Sequence, residues 1–315
     1  MHDFPNPKFV DSNGVKLATY EMGTGPAVLF VHGWPEIAYS WKHQMTAVAA
    51  AGYRAIALDL RGFGASDTPF DIAQYDIQHL TDDLSAVLDT YGVEKAVICG
   101  HDWGGVIAWP MAQLKPERVS GVIGVCTAHF PPLAIPTIEK IAAGRDENHY
   151  IVQFNRDLEI EKLFDDNIEK FFRTVFQKAP KRAESEILGN RLFDIPGRLK
   201  NGPMPMGTAL VLSDDDLQTY VDIYKKSGFR GGINLYRNID QNHALMEKVD
   251  PKINVPCLWI GAEDDIFLPI EYAAYMKRYI RDLEKQVIKD CGHWVTWEQP
   301  EHLNKHMVEW LNDKF

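Results

Sequence analysis

Five short runs of almost uninterrupted apolar residues punctuate the chain, at 27–31, 55–58, 96–99, 122–126 and 256–260. A run of four or five apolar residues bounded by turn-forming residues has the length of a strand buried on both faces. Between the runs the spacing turns helical: Leu80, Leu84, Val87 and Leu88 share one face, with Thr81, Asp82 and Asp83 near the expected helix start. This alternation predicts an α/β fold, a mostly parallel sheet with helices on both faces. Ahead of the first run, residues 9–12 and 15–20 form a hairpin pattern around Asn13-Gly14, a dipeptide suited to a two-residue turn.

After Cys126 the pattern breaks. From about Phe130 to about Leu245 no apolar strand occurs, whereas 158–177 and 214–226 are charge-rich with helical spacing, and Ser213 supplies a cap ahead of Asp214-Asp215-Asp216. Pro and Gly concentrate in Ile195-Pro196-Gly197 and Gly202-Pro203-Met204-Pro205, which read as an ordered loop. The strand pattern resumes at Pro256. The expected division is a core of residues 1–130 and 246–315 and an inserted helical cap of residues 131–245. The cap would roof the C-terminal ends of the strands, where an open parallel sheet binds its ligands.

Composition narrows the setting. At 315 residues, 45% apolar and 24% charged, the chain suits one large globular domain with an insertion. A net charge of −11 opposes binding to nucleic acid or an anionic membrane surface. No apolar run reaches membrane-spanning length, and Met1-His2-Asp3-Phe4-Pro5 lacks the basic-then-apolar pattern of an export signal, so a cytoplasmic location is expected. A homodimer is compatible with these features. Cys99, Cys126, Cys257 and Cys291 are scattered and read as small core residues. Neither they nor the histidines show metal-ligand spacing, so no metal and no cofactor are expected.

The chemistry gathers at the ends of strands. One apolar run ends in Gly100-His101-Asp102-Trp103-Gly104-Gly105 and passes at once into helical spacing. That is the outline of a nucleophile elbow, a turn so tight that small residues must flank the central side chain. Here the usual Ser is replaced by a carboxylate, which is ionised near neutral pH and attacks carbon without a base, forming an ester. Opening an epoxide or expelling a halide suits it. The competing reading is that Asp102 only caps the helix. His32-Gly33-Trp34-Pro35 follows another strand and would set the Trp34 N–H beside that of Trp103 as a pair of anion-stabilising donors; a plain tight turn is the alternative. Gly261-Ala262-Glu263-Asp264-Asp265 offers an acid or merely a solvated turn, and Cys291-Gly292-His293-Trp294 offers a base. Nucleophile, acid, His is the chain order of α/β-hydrolase triads.

Together these segments resemble the α/β-hydrolase fold epoxide hydrolases over nearly the whole chain. The resemblance is carried by His32-Gly33-Trp34-Pro35, Arg61-Gly62-Phe63-Gly64-Ala65-Ser66, the Asp102 elbow, Asp290-Cys291-Gly292-His293-Trp294 and the cap segment 226–238. It implies that Tyr236 is one of two epoxide-binding tyrosines and that the other is Tyr150, with His149 the alternative. It favours Asp265, which precedes Ile266-Phe267-Leu268-Pro269, over Asp264 as the acid. One departure is Pro110 in the helix behind the elbow, which is expected to kink it.

The implied reaction is hydrolysis of a small-molecule epoxide to a vicinal diol without a cofactor, through an ester on Asp102 that water activated by His293 then cleaves. Haloalkane and haloacid dehalogenases would share Asp102 and His293. Fluoroacetate dehalogenases place Arg where Trp103 stands, and haloalkane dehalogenases usually place a polar residue where Trp34 stands. A non-catalytic ligand-binding protein on the same fold is the rival of another class.

Overall fold

A computed structural model describes residues 4–130, 137–201 and 209–315. Strands β1 (Lys8–Ser12) and β2 (Val15–Met22) form the expected hairpin, with Asn13 at φ 52° and Gly14 at φ 85° in the left-handed region that its turn requires. The apolar runs become β3 (Ala27–Val31), β4 (Arg54–Leu58), β5 (Ala96–His101), β6 (Val119–Val125) and β7 (Cys257–Ala262), with β8 (Leu283–Ile288) at the edge. The eight strands lie in the order β1-β2-β4-β3-β5-β6-β7-β8. Pairings β1–β2 and β2–β4 are antiparallel and the rest parallel.

Both faces of this sheet are covered, which is why the inner strands are apolar throughout. On β3, Leu29 and Val31 join one core with helices α2 (Ile77–Thr90) and α3 (Trp103–Leu114). Val28 and Phe30 join the other, with α1 (Lys42–Ala50) and the C-terminal helix. Helix α2 starts four residues ahead of Thr81, because the Asp76 carboxylate accepts from the His79 N–H at 3.0 Å and so caps it there. Asp83 is therefore interior, and its two carboxylate oxygens meet Arg61 Nε and Nη2 at 2.6 Å each with both side chains buried. Arg61→Met would strand that carboxylate without its partner. A loss on the order of 3–5 kcal/mol is expected, read from the urea midpoint.

Gly62, four residues past the end of β4 and at φ +82°, lets the core approach the inserted segment: a Cβ there would lie 2.6 Å from the Gly231 Cα. That segment runs between β6 and β7 and, among the described residues, contains no strand beyond the isolated bridge Gln177–Leu210. Helix α4 is Tyr150–Arg156. The stretch 158–177 divides into α5 (Ile160–Asp165) and α6 (Ile168–Val175). Then come α7 (Asp214–Ser227), whose Ser213 hydroxyl accepts from Asp216 N at 3.2 Å as its sequence implies, and α8 (Arg230–Arg237). The expected loop at 195–197 is instead the start of a helix, Ile195–Asn201. Asp194 accepts from Gly197 N at 2.8 Å, and Pro196 sits in the first turn, where no N–H is needed. Residues 202–205 lie outside the described residues. Helix α3 continues through Pro110 to Leu114, and α9 (Pro300–Lys314) closes the chain.

Candidate active site

At the junction of β5 and α3, Asp102 adopts φ 53° and ψ −120°, a conformation costly for a side-chain-bearing residue. The glycines around it leave no choice: a Cβ on Gly100 would collide with the Gly104 carbonyl, and one on Gly104 with the Val31 carbonyl. Asp102 stands at the N-cap position of α3, but its side chain makes no cap hydrogen bond, which speaks against the reading that it only caps the helix. Its Oδ1 accepts instead from the Trp34 N–H at 2.8 Å, and the adjoining Trp103 amide also favours the charged carboxylate. The loop after β3 is fixed by His32, whose Nδ1 donates to the Gly33 carbonyl at 2.8 Å while Nε2 accepts from Leu60 N at 3.0 Å. Burial pushes that imidazole down to about 4, so it stays neutral. Gly33 is required because a Cβ there would strike the Asp102 side chain.

His293, in the loop after β8, reaches the same carboxylate from the other side. Its Nδ1 lies 2.9 Å from Asp265 Oδ2 and its Nε2 3.7 Å from Asp102 Oδ2, the latter too long for a direct hydrogen bond. Asp265 is itself oriented, its Oδ1 accepting from the Phe267 and Leu268 amides at 2.8 and 2.9 Å. Of the two adjacent acids it is the one that meets His293. Asp264 turns away to Lys181 at 2.8 Å. Burial works against a charged imidazole, but the carboxylates of Asp265 and Asp102 outweigh it and lift His293 to about 9. Burial likewise pushes the Asp102 carboxyl up, against the pull of His293, His101 and the two tryptophan amides. Asp265 moves below the ordinary carboxylate range despite its burial, because His293 and the two amides favour its charged form.

From the inserted segment come Tyr150, at the start of α4, and Tyr236, in the last turn of α8. Two bonds strap these helices together: Asn155 Nδ2 donates to the Tyr236 carbonyl at 3.2 Å and Arg237 Nε to the Phe154 carbonyl at 3.0 Å. The tyrosine rings lie 5.6 Å apart at 82°, and burial with the nearby Asp102 charge raises both phenols above their usual pKa. Trp34 stacks on Tyr150 at 6.1 Å and meets Tyr236 edge-on at 5.6 Å. His149 stands outside this group. Its ring is sandwiched between Tyr150 and Phe193, at 4.9 and 5.0 Å, and caps α4 rather than facing Asp102.

Asp102, His293, Tyr150, Tyr236 and Trp34 thus line one pocket, closed by Phe267, Trp294, Val175 and Ile195 around about 10 Å³ of free space. That is on the order of one water molecule, so an organic substrate must displace a lining side chain. Sequence reasoning missed Glu36 and His101. Glu36, fully buried, meets His101 Nδ1 at 3.1 Å and accepts from Trp297 Nε1 at 3.0 Å, while His101 Nε2 donates to the His293 carbonyl at 2.9 Å. A Glu inside the aromatic stretch 34–41 was the available signal. Glu36 also contributes to the raised His293.

Residues 26–300 match the family model described as alpha/beta hydrolase fold. The chain is 33% identical over 313 residues to epoxide hydrolase A of Mycobacterium tuberculosis (strain ATCC 25618 / H37Rv), covering 98% of this chain and 97% of that one. It is 36% identical over 299 residues to bifunctional epoxide hydrolase 2 of Sus scrofa, covering 95% of this chain and 53% of that one, so it spans about half the length of this relative. Among solved structures it is similar to epoxide hydrolase A from Mycobacterium thermoresistibile, with a TM-score of 0.86 at 31% identity over 98% of each chain. An epoxide hydrolase from an endophytic Streptomyces gives 0.88 at 29% identity, over 99% of this chain and 96% of that one. The chain belongs to the alpha/beta hydrolase fold family and, within it, to the epoxide hydrolases. Among the described residues no helix is long and apolar enough to cross a membrane.

Proposed function

We propose that the protein hydrolyses an epoxide to a vicinal diol in two steps, with the segment 131–245 acting as the cap that completes the site. The observation that carries this reading is the convergence of two buried phenols on a carboxylate already paired with His293. A departing halide needs no proton, whereas an epoxide oxygen becomes an alkoxide and must be met by a proton source. Asp102 attacks a ring carbon while Tyr150 and Tyr236 hydrogen-bond the oxygen. The ester so formed is neutral. It removes one of the two carboxylates that lift His293 to about 9, so the imidazole pKa falls just when a base is needed. His293, oriented by Asp265, then takes a proton from water that attacks the ester carbonyl, and the Trp34 and Trp103 amides, already aimed at the Asp102 carboxylate, hold the oxyanion.

The test is diol formation from 1,2-epoxyhexane and styrene oxide, beside a haloalkane and fluoroacetate scored for halide release. Halide release without diol would reject the proposal. Tyr236→Phe removes a donor used in the first step and not in the second. Single-turnover ester formation is expected to slow by roughly a hundredfold to a thousandfold, with ester cleavage little changed. An unchanged rate of ester formation would take Tyr236 out of the reaction.

A further inference from the structure

The two phenols of the reaction pocket stand on different helices, Tyr150 at the first position of α4 and Tyr236 in the last turn of α8. Their separation is therefore set by how those helices are joined. One epoxide oxygen must accept from both hydroxyls at once, each at about 2.7–2.8 Å, which leaves the helices little freedom to shift.

The residue after Tyr236 spans the joint. Arg237 lays its guanidinium across the end of α4, where Nε donates to the Phe154 carbonyl at 3.0 Å and Nη2 to the Asp157 carbonyl at 3.1 Å. A helix leaves its last backbone acceptors without partners and favours a cation there, so both contacts suit an arginine. Its other bonds reach Glu161 Oε2 on α5, from Nη2 at 3.0 Å, and the Asn234 amide oxygen one turn back on α8, from Nη1 at 3.1 Å. The side chain is buried, at 4% exposure, so these bonds are shielded from water. From α4 Asn155 answers, its Nδ2 donating to the Tyr236 carbonyl at 3.2 Å. Arg237 is not part of the reaction pocket's lining and touches none of the reacting groups.

We infer that Arg237 is a positioning residue for the first chemical step, fixing Tyr236 against Tyr150 so that both phenols reach one epoxide oxygen. The inference rests on the two-step epoxide hydrolase reading above. Damage at Arg237 then falls on ester formation, in which the phenols act. It spares ester cleavage, which uses His293, Asp265 and the Trp34 and Trp103 amides, all of them outside the inserted segment. A residue that only held the fold together would lower both steps alike, or lower the yield of folded enzyme.

Arg237→Lys keeps the charge beside Glu161 and loses the planar fork that reaches two carbonyls and two side chains at once. With 1,2-epoxyhexane, rapid-quench intact-protein mass should show single-turnover ester formation slowed by roughly tenfold to a hundredfold, as a displacement of an ångström or less can cause, with ester cleavage changed by less than about twofold. On the Tyr236→Phe background the same substitution should cost less than about threefold, because the donor it positions is already gone. Equal slowing of both steps, an effect that multiplies fully with that of Tyr236→Phe, or an unchanged rate of ester formation overturns the inference. Should Arg237→Lys not fold, Asn155→Leu removes the donor to the Tyr236 carbonyl from the other helix: ester formation at least about threefold slower with cleavage unchanged supports the inference, and any other pattern overturns it. If Tyr236→Phe slows ester formation while Arg237→Lys does not, the positioning role fails and the epoxide hydrolase reading stands. If Tyr236→Phe itself leaves that step unchanged, the role given to Tyr236 falls and this inference with it.

Discussion

His293→Gln protein incubated with excess 1,2-epoxyhexane is expected to gain the full mass of the epoxide while producing almost no diol. Asp102 needs no base to attack, so the first step survives, and the variant loses only the group that takes the proton from water. Steady-state turnover should fall on the order of a thousandfold, since a positioned general base contributes roughly 10²–10⁴. The geometry makes Gln a fair replacement: the Nδ1 side of the ring is held by Asp265 at 2.9 Å, and Gln retains a donor for that carboxylate while lacking a basic nitrogen facing Asp102. Intact-protein mass should show one adduct, and digestion should place it on the peptide containing Asp102. A dehalogenase would react with a haloalkane instead and gain the substrate less hydrogen halide. A variant that stays unmodified by both, or carries its adduct on a cysteine, would refute the two-step scheme.

Asp102→Asn should remove activity more completely, because no ester can form at a useful rate from a neutral amide. A drop on the order of 10⁴ or more in kcat is expected, as for removal of other covalent nucleophiles. The fold should tolerate the change, since an amide oxygen can still accept from the Trp34 N–H now bonded to Oδ1 at 2.8 Å and the left-handed backbone at this position suits Asn at least as well as Asp. Mass spectrometry should find no adduct with 1,2-epoxyhexane. Activity that returns over hours would mark conversion of Asn back to Asp, whereas full activity in the first minute would show that another residue attacks the epoxide.

How much of this was legible in the chain depends on whether the deciding interaction is local. The strands at 27–31 and 96–101, the Asn13-Gly14 turn, the Ser213 cap and the elbow around Asp102 are set by neighbours within a few residues, through sterics and hydrogen-bond reach, and each was readable. Helix α2 began earlier than expected because Asp76 is a better cap than Thr81, and Ile195–Asn201 became helical because Asp194 supplies a cap ahead of a proline placed where helices tolerate it. Those errors were local signals misweighed. The choice between Asp264 and Asp265 was of another kind. The two are chemically alike and adjacent, and only the arrival of His293 on one side and of Lys181, from 83 residues away, on the other tells them apart. The same holds for Tyr150 over His149, where a stack on Phe193 turns the imidazole aside, and for the buried Glu36–His101 pair, whose partners are 65 residues apart. The sequence by itself determined the sheet, the elbow and the carboxylate that stands on it, because backbone sterics and side-chain chemistry act over a few ångströms of contiguous chain. Only the tertiary structure decided which acid meets His293 and which aromatic side chains line the reaction pocket, because charge pairing and burial act through space between segments that the chain order leaves unrelated.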